Sequence, residues 1–211
     1  MSDETKQSAV QQYLRGLEWD GRPRIATALG EGRSVEHAAT LAKGSELFFS
    51  TAVRRALQPG CSVDQSLVLV APEGAGKTRW LRALGEDSYM QTPHTSDDFV
   101  VALMTYWIVE VTDAKFLGPR YEDYKAPLAA CEDTYRRPFS KTVERVPRAS
   151  VVAFTTNEVP SALIGSRRFF VVETGGIPDP TAIRDQLWAE AVATTRFFEG
   201  AVEEYRRGGA S

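Results

Sequence analysis

Between Ser66 and Thr78 a short apolar run passes directly into a glycine-rich turn, Ser66-Leu67-Val68-Leu69-Val70-Ala71-Pro72-Glu73-Gly74-Ala75-Gly76-Lys77-Thr78. The run suits a strand buried on both faces of a parallel sheet. Helical spacing follows from Thr78 to Leu84. Strand, glycine turn and helix in that order gather backbone N–H groups and the positive end of a helix around one point, as a chain of phosphates requires. The cradle is expected over Pro72, Glu73, Gly74, Ala75, Gly76, Lys77, Thr78 and Arg79. In such a P-loop Lys77 reaches the β- and γ-phosphates of ATP, and the Thr78 hydroxyl helps hold Mg²⁺. Ala71 stands where a first glycine is usual, but Pro72 and Gly74 still permit a tight turn. The alternative is a plain glycine turn before a helix, and the flanking strand and helix argue against it.

Further apolar runs predict strands at Tyr106-Trp107-Ile108-Val109, Val151-Val152-Ala153-Phe154 and Arg168-Phe169-Phe170-Val171-Val172. A short helix is expected from Ser8 to Leu17, then a turn at Trp19-Asp20-Gly21-Arg22-Pro23. Val35 to Leu57 carries helical spacing, with Ala39, Leu41, Leu47, Phe48, Val53 and Leu57 as its apolar residues and Pro59-Gly60 as its stop. A last helix opens at Asp179-Pro180 and runs through Leu187, Ala191 and Phe198 toward Tyr205, with residues 208–211 as a frayed tail. Strands alternating with helices predict an α/β fold: a parallel sheet flanked by helices, with a small N-terminal helical region. The expected division is residues 1–60 (helical region), 61–175 (P-loop ATPase core) and 176–211 (C-terminal helix and tail).

Composition narrows the function classes. The 211 residues suit one α/β domain with small additions, and a 43% hydrophobic fraction supplies a core. The formal net charge of −3 makes any nucleic-acid binding a matter of a local basic patch. Cys61 and Cys131 form no CxxC pair, which argues against a disulfide framework or zinc site and for a reducing cytoplasm. No stretch has the length and apolarity of a membrane span, and the first residues lack a secretory signal's pattern.

Glu110 ends the apolar run Trp107-Ile108-Val109, where a carboxylate can serve the metal's water shell or orient an attacking water. Asp113 lies just beyond it, and the two acids share these roles in an order the residues leave open. Asn157 closes Phe154-Thr155-Thr156-Asn157, and its amide can both donate to a γ-phosphate and accept from water, or it can simply cap the strand. Arg167 and Arg168 follow. One of them can act as an arginine finger on a neighbouring subunit's ATP, an effect worth roughly 4–7 kcal/mol of barrier. The competing reading is a solvated or salt-bridged pair at a strand start.

At this point the chain resembles the virulence-associated protein E family, related to the superfamily 3 helicases within the AAA+ class. Four blocks carry the resemblance: Tyr13 to Arg24; the P-loop with its strand; the run from Trp107-Ile108-Val109-Glu110 through Tyr135-Arg136-Arg137-Pro138-Phe139 and Val146-Pro147-Arg148 to Thr155-Thr156-Asn157 and Arg167-Arg168-Phe169; and Arg184-Asp185-Gln186-Leu187-Trp188-Ala189-Glu190-Ala191. The P-loop is generic, while the first and last blocks are specific to the family. The resemblance implies an AAA+ core, a homo-oligomeric ring (commonly a hexamer) with ATP between subunits, and work in replication of a phage or other mobile element in a bacterial cytoplasm. Members of the family often accompany a primase, so the resemblance implies either a stand-alone motor or one part of a split system with a separate primase or initiator. In superfamily 3 motors a hairpin between acid and sensor enters the ring's channel. The basic stretch from Tyr135 to Arg148 occupies that place, so Arg136, Arg137, Lys141 and Arg145 become the expected contacts to single-stranded or forked DNA. A basic subunit interface is the alternative.

These readings converge on an ATP-hydrolysing DNA helicase motor. The competing functions are a non-translocating ATP-dependent switch, loader or interference factor, which DNA-independent hydrolysis would distinguish, and a small-molecule P-loop kinase, which would need a phosphoryl acceptor.

Overall fold

The computed structural model describes residues 3–92, 97–112, 128–136, 142–159, 161–163 and 165–195. Helix α1 (Asp3–Gly16) and helix α2 (Val35–Leu57) precede strand β1 (Ser66–Val70) and helix α3 (Lys77–Gly85). Strand β2 (Tyr89–Thr92), helix α4 (Asp97–Thr105) and strand β3 (Ile108–Val111) follow. An antiparallel pair, β4 (Glu132–Tyr135) and β5 (Glu144–Pro147), separates β3 from β6 (Val151–Thr156) and β7 (Phe169–Glu173). A 3₁₀ turn, Thr181–Ile183, leads into helix α5, described over residues 184–195. The sheet is parallel throughout, in the order β2-β3-β6-β1-β7. An α/β chain with a parallel sheet flanked by helices is thus what the alternating pattern predicted.

Strand periodicity divides the core into two layers. Leu67, Leu69, Ile108, Val151, Ala153 and Val172 face one way and pack with Val10 and Leu14 of α1, Phe48 and Phe49 of α2, Trp80 and Leu81 of α3, and Leu187 and Trp188 of α5. Val68, Val70, Val109, Val111, Val152 and Phe154 face the other way, against Phe99, Ala102 and Leu103 of α4. Five aromatic rings wedge the first layer. Trp107 and Trp188 stand 4.4 Å apart between centroids, Phe49 and Trp188 4.8 Å, and Phe48 and Trp80 5.2 Å. Two indoles also keep a polar partner: Trp107 donates to the Ala52 carbonyl at 2.9 Å and Trp188 to that of Leu84 at 3.1 Å.

Helix α2 has the predicted bounds, its end set by the local stop and its start by a cap that the spacing alone does not name. Ser34 accepts from the His37 N–H at 3.1 Å, and Pro59 with Gly60 follows the last turn. Its Gly44 is needed for close packing, since a Cβ there would overlap Val172 of β7. Ala39, expected on the apolar face, is exposed, and Leu47 is half-buried.

Other boundaries move. The strand expected over Tyr106–Val109 lies at Ile108–Val111. The Tyr106 N–H still bonds the Ala102 carbonyl of α4, and Trp107 turns its indole into α2. Glu110 is therefore inside the strand and fully buried, not at its end. The strand expected over Arg168–Val172 lies at Phe169–Glu173. The glycine turn's helix starts at Lys77 rather than Thr78 and ends at Gly85, and α1 ends at Gly16. Asp179 accepts from the Thr181 N–H at 3.0 Å and its hydroxyl at 2.5 Å, but Pro180 is the capping residue of the 3₁₀ turn before α5. Phe198, Tyr205 and residues 208–211 lie outside the described residues. No described helix is long and apolar enough to cross a membrane.

Two of the family-type sequence blocks meet. Gln186 on α5 accepts from the Asp20 N–H at 3.0 Å and donates to the Glu18 carbonyl at 3.1 Å. The buried Glu190 carboxylate accepts from the backbone N–H groups of Arg24 at 2.6 Å and Ile25 at 3.1 Å. Tyr13 donates to Asp185 at 2.7 Å, Arg184 lies over the Tyr13 ring, and Arg184 pairs with Glu86 just past α3. Burial and the Asp185 bond push the Tyr13 hydroxyl up to about 12.

Candidate functional site

Ligands of open parallel sheets bind beyond the carboxyl ends of the strands. Here the ends of β1, β3 and β6 share one edge, and between them opens a cleft of about 540 Å³. Its lining includes Glu73, Gly74, Ala75, Gly76, Lys77, Thr78 and Arg79 from the turn. Gln91, Thr112, Thr155, Thr156 and Asn157 complete it from β2, β3 and β6. Pro72 is exposed at the base of the turn, and its carbonyl receives the Ala75 N–H at 3.2 Å.

Two glycines set the turn's shape. Gly74 has φ +77° and Gly76, the residue capping α3, has φ +94°. L side chains rarely adopt that region. Space adds to the requirement at Gly76, where a Cβ would come within 3.1 Å of the Ile177 carbonyl. Neighbouring backbone holds the turn: the Ala71 N–H donates to Thr156 O at 3.2 Å and the Ile177 N–H to Ala75 O at 2.8 Å. Arg79 reaches the same flanking segment, donating to the Ile177 carbonyl at 3.3 Å and lying 3.6 Å from Asp179. Thr181 and Arg79 hold the Asp179 carboxyl below the usual carboxylate range.

Lys77 and Thr78 open α3, whose first turn has N–H groups without intrahelical partners. The Lys77 ammonium donates to Ala71 O at 2.5 Å, Pro72 O at 3.0 Å and Asn157 Oδ1 at 2.8 Å. Burial holds it below the ordinary lysine range, while Glu110 and Glu73 oppose that shift. An arriving anion would relieve the same penalty.

Below the turn, Glu110 is fully buried on the sheet face that α3 covers. It pairs in register with Ala153 of β6 and Gln91 of β2, so Thr155 and Tyr89, two residues away along those strands, share its face. Its Oε1 accepts from Thr78 at 2.8 Å and from Thr155 at 2.6 Å, and its Oε2 from the Tyr89 hydroxyl. A buried carboxylate needs such donors.

The structure thus gathers the turn, Lys77, Thr78, Glu110 and Asn157 at one place. It puts Arg167 and Arg168 at the other edge of the sheet: Arg168 immediately precedes β7, its carbonyl accepts from Ser66 at the start of β1, and its guanidinium lies 3.5 Å from Asp64. Arg167 is exposed beside it. Neither arginine lines its own chain's cleft. Arg136 is exposed after β4, and Arg145, exposed on β5, lies 3.5 Å from Glu132. Asp113, Arg137 and Lys141 lie outside the described residues. Beneath the β4–β5 pair, Arg148 and Asp133 form a buried two-pronged ion pair, with Nε 2.9 Å from Oδ2.

Sequence reasoning missed Tyr89, Gln91 and Thr112. Tyr89 sits on a strand with no apolar run to announce it. Thr155 was in view within the Thr-Thr-Asn block, but its bond to Glu110 depends on the β3–β6 register.

Fold and cleft define the class: an α/β protein with a glycine-turn cleft at the carboxyl edge of a parallel sheet. The chain belongs to the virulence-associated protein E-like domain family, which matches residues 14–206. The fold also resembles a solved structure described as the A form apo structure of the NrS-1 C-terminal region, with a TM-score of 0.55 and 13% sequence identity. That likeness covers 85% of this chain and 47% of the other, so the chain spans about half the length of that solved protein. Comparison with curated proteins returns no match.

Proposed function

We propose that the chain is a P-loop ATPase of the AAA+ type, the motor domain of a superfamily 3-like DNA helicase acting in replication of a phage or other mobile element. The observation that carries this reading is the convergence on the first turn of α3. Lys77 meets Asn157 and Thr78 meets Glu110 beneath a turn with two left-handed glycines. The cleft's volume falls within the roughly 300–1,000 Å³ typical of small-molecule sites. Phosphates would take the turn's N–H groups and the Lys77 ammonium, which would exchange its carbonyl partners for them. Thr78 and Glu110 present a hydroxyl and a carboxylate oxygen 2.8 Å apart, a donor set that suits a hard dication keeping several waters. Mg²⁺ held there would neutralise charge on the transferred phosphoryl group. Asn157, released by Lys77, would hold the γ-phosphate or the attacking water, with Asp113 as the second acid.

Arginines at the far edge of the sheet suit a finger acting in trans. That supports the proposal of a ring, commonly a hexamer, with Arg167 or Arg168 completing the next subunit's site. Arg136 and Arg145, exposed on the β4–β5 pair, support a DNA-tracking hairpin that also uses Arg137 and Lys141. In this proposal the chain works in a bacterial cytoplasm beside a separate primase or initiator. Steady-state ATP hydrolysis with and without single-stranded DNA tests it, with Lys77→Ala as the blank. Strong stimulation by DNA is expected. Hydrolysis indifferent to DNA would replace the motor with a nucleotide switch, and no Lys77-dependent hydrolysis would remove both.

A further inference from the structure

We infer that Tyr89 is a positioning residue for the Glu110 carboxylate, fixing one oxygen at the back of the cleft so that the other faces Thr78 and Thr155. The inference rests on the cleft being an Mg²⁺–nucleotide site. Three elements supply the hydroxyls around Glu110: β2 gives Tyr89, β6 gives Thr155 and α3 gives Thr78. They divide the carboxylate unequally. Oε1 is shared by the two threonines on the cleft side, and Oε2 takes the tyrosine. Glutamate has one more torsion than aspartate, and its terminal torsion is broad, so nothing in the side chain itself selects which oxygen faces the cleft. A donor on Oε2 does.

The tyrosine ring is in turn held. Arg82, one turn along α3 from Thr78, lies 5.7 Å from the ring centroid. At the end of α3 a Cβ on Gly85 would come within 2.8 Å of Tyr89 Cβ and 3.3 Å of Ile108 Cδ1. Gly85 has an ordinary helical φ of −94°, so the glycine serves space rather than backbone shape. The same helix therefore brings Thr78 to the front of Glu110 and leaves room for Tyr89 behind it.

Tyr89→Phe removes the donor and keeps the ring. The probes are a fluorescent ATP analogue in EDTA, Mn²⁺ affinity by electron paramagnetic resonance with ATP present, and Mg²⁺-dependent ATP turnover. Outer-shell partners of metal ligands are worth roughly 10–100-fold in metal affinity or activity. The expected result is about tenfold weaker Mn²⁺ binding and about tenfold lower kcat, with analogue affinity and KM for ATP held within about twofold. A merely structural role would lower the melting temperature without separating metal from nucleotide. Gly85→Ala, which displaces the ring and leaves its hydroxyl, is expected to weaken Mn²⁺ binding in the same way. Wild-type metal affinity and kcat in both variants would overturn the role of Tyr89 while leaving the nucleotide site intact. A wild-type protein that binds neither ATP nor Mn²⁺ would overturn the site reading itself.

Discussion

Glu110 takes three side-chain hydrogen bonds at the cleft, and its burial allows its part in folding to be separated from its proposed part in turnover. Its carboxylate is satisfied by three neutral hydroxyls. Hydroxyl hydrogens rotate, so a glutamine at this position can accept from the threonines while Tyr89 reverses to accept from the amide. Glu110→Gln should therefore fold, with a melting temperature near that of the wild type by calorimetry. It should bind ATP in EDTA normally. Its Mg²⁺-dependent hydrolysis should fall about a hundredfold or more, because an amide carries no charge for the metal, a loss of roughly 3 kcal/mol of barrier. Lys77→Ala should differ: it removes the cation proposed to meet the phosphates, so ATP binding and turnover should both be lost. Retained ATP binding by Lys77→Ala would mean that the phosphates sit elsewhere.

Elements differ in how plainly the sequence announces them. Helix α2 and strand β1 are legible to the residue, because helical spacing with a Pro-Gly stop and a closed apolar run are local signals. Strand β3 is displaced by two residues since Trp107, apolar and next in line, is recruited by α2 instead. Strand β2 gives no signal: it is an edge strand whose Met90 and Gln91 are exposed. The β4–β5 pair reads only as a basic stretch, because its organising contact, Asp133 with Arg148, joins residues fifteen apart. Likewise the Tyr13–Arg24 block reads in sequence only as a helix, a turn and a mark of the family, while in the structure it clasps α5. Glu190→Ala would strand the Arg24 and Ile25 N–H groups, and should cost about 2–4 kcal/mol in urea unfolding. Asp133→Ala would remove the carboxylate that faces the buried Arg148 guanidinium, close to the buried Arg55, and should cost about 3–5 kcal/mol. The exposed arginines of the pair belong to another class. Arg145 lies 3.5 Å from Glu132 at the surface, an attachment worth little to stability. Arg136→Ala with Arg145→Ala should leave unfolding unchanged, weaken single-stranded DNA binding, and reduce the slope of log affinity against log salt by about 1.4. An unchanged slope would assign these arginines to a protein interface.

At the scale of the whole molecule, the cleft and the Arg167–Arg168 pair lie at opposite edges of one sheet, separated by the length of β1, roughly 15 Å at the usual rise per residue. No rotamer of either arginine spans that distance together with the loops at both ends. If they act in hydrolysis, the ATP they act on belongs to another copy, and a head-to-tail contact, as in the proposed ring, would bring the two edges together. Mixing separates this from a structural role. Lys77→Ala subunits keep their arginines and lose their own site. Subunits with both Arg167→Ala and Arg168→Ala keep the site and lose the arginines. Each alone should be nearly inactive, the arginine variant while still binding ATP. In a randomly mixed ring about a quarter of the junctions join an intact cleft to intact arginines. The mixture should then hydrolyse ATP well above either parent, and raising the share of Lys77→Ala should rescue the remaining intact clefts until they become too few. Strict additivity of the two parents, at concentrations where light scattering shows assembly, would make the arginines structural. The ion contact of Arg168 with Asp64 would then be their role.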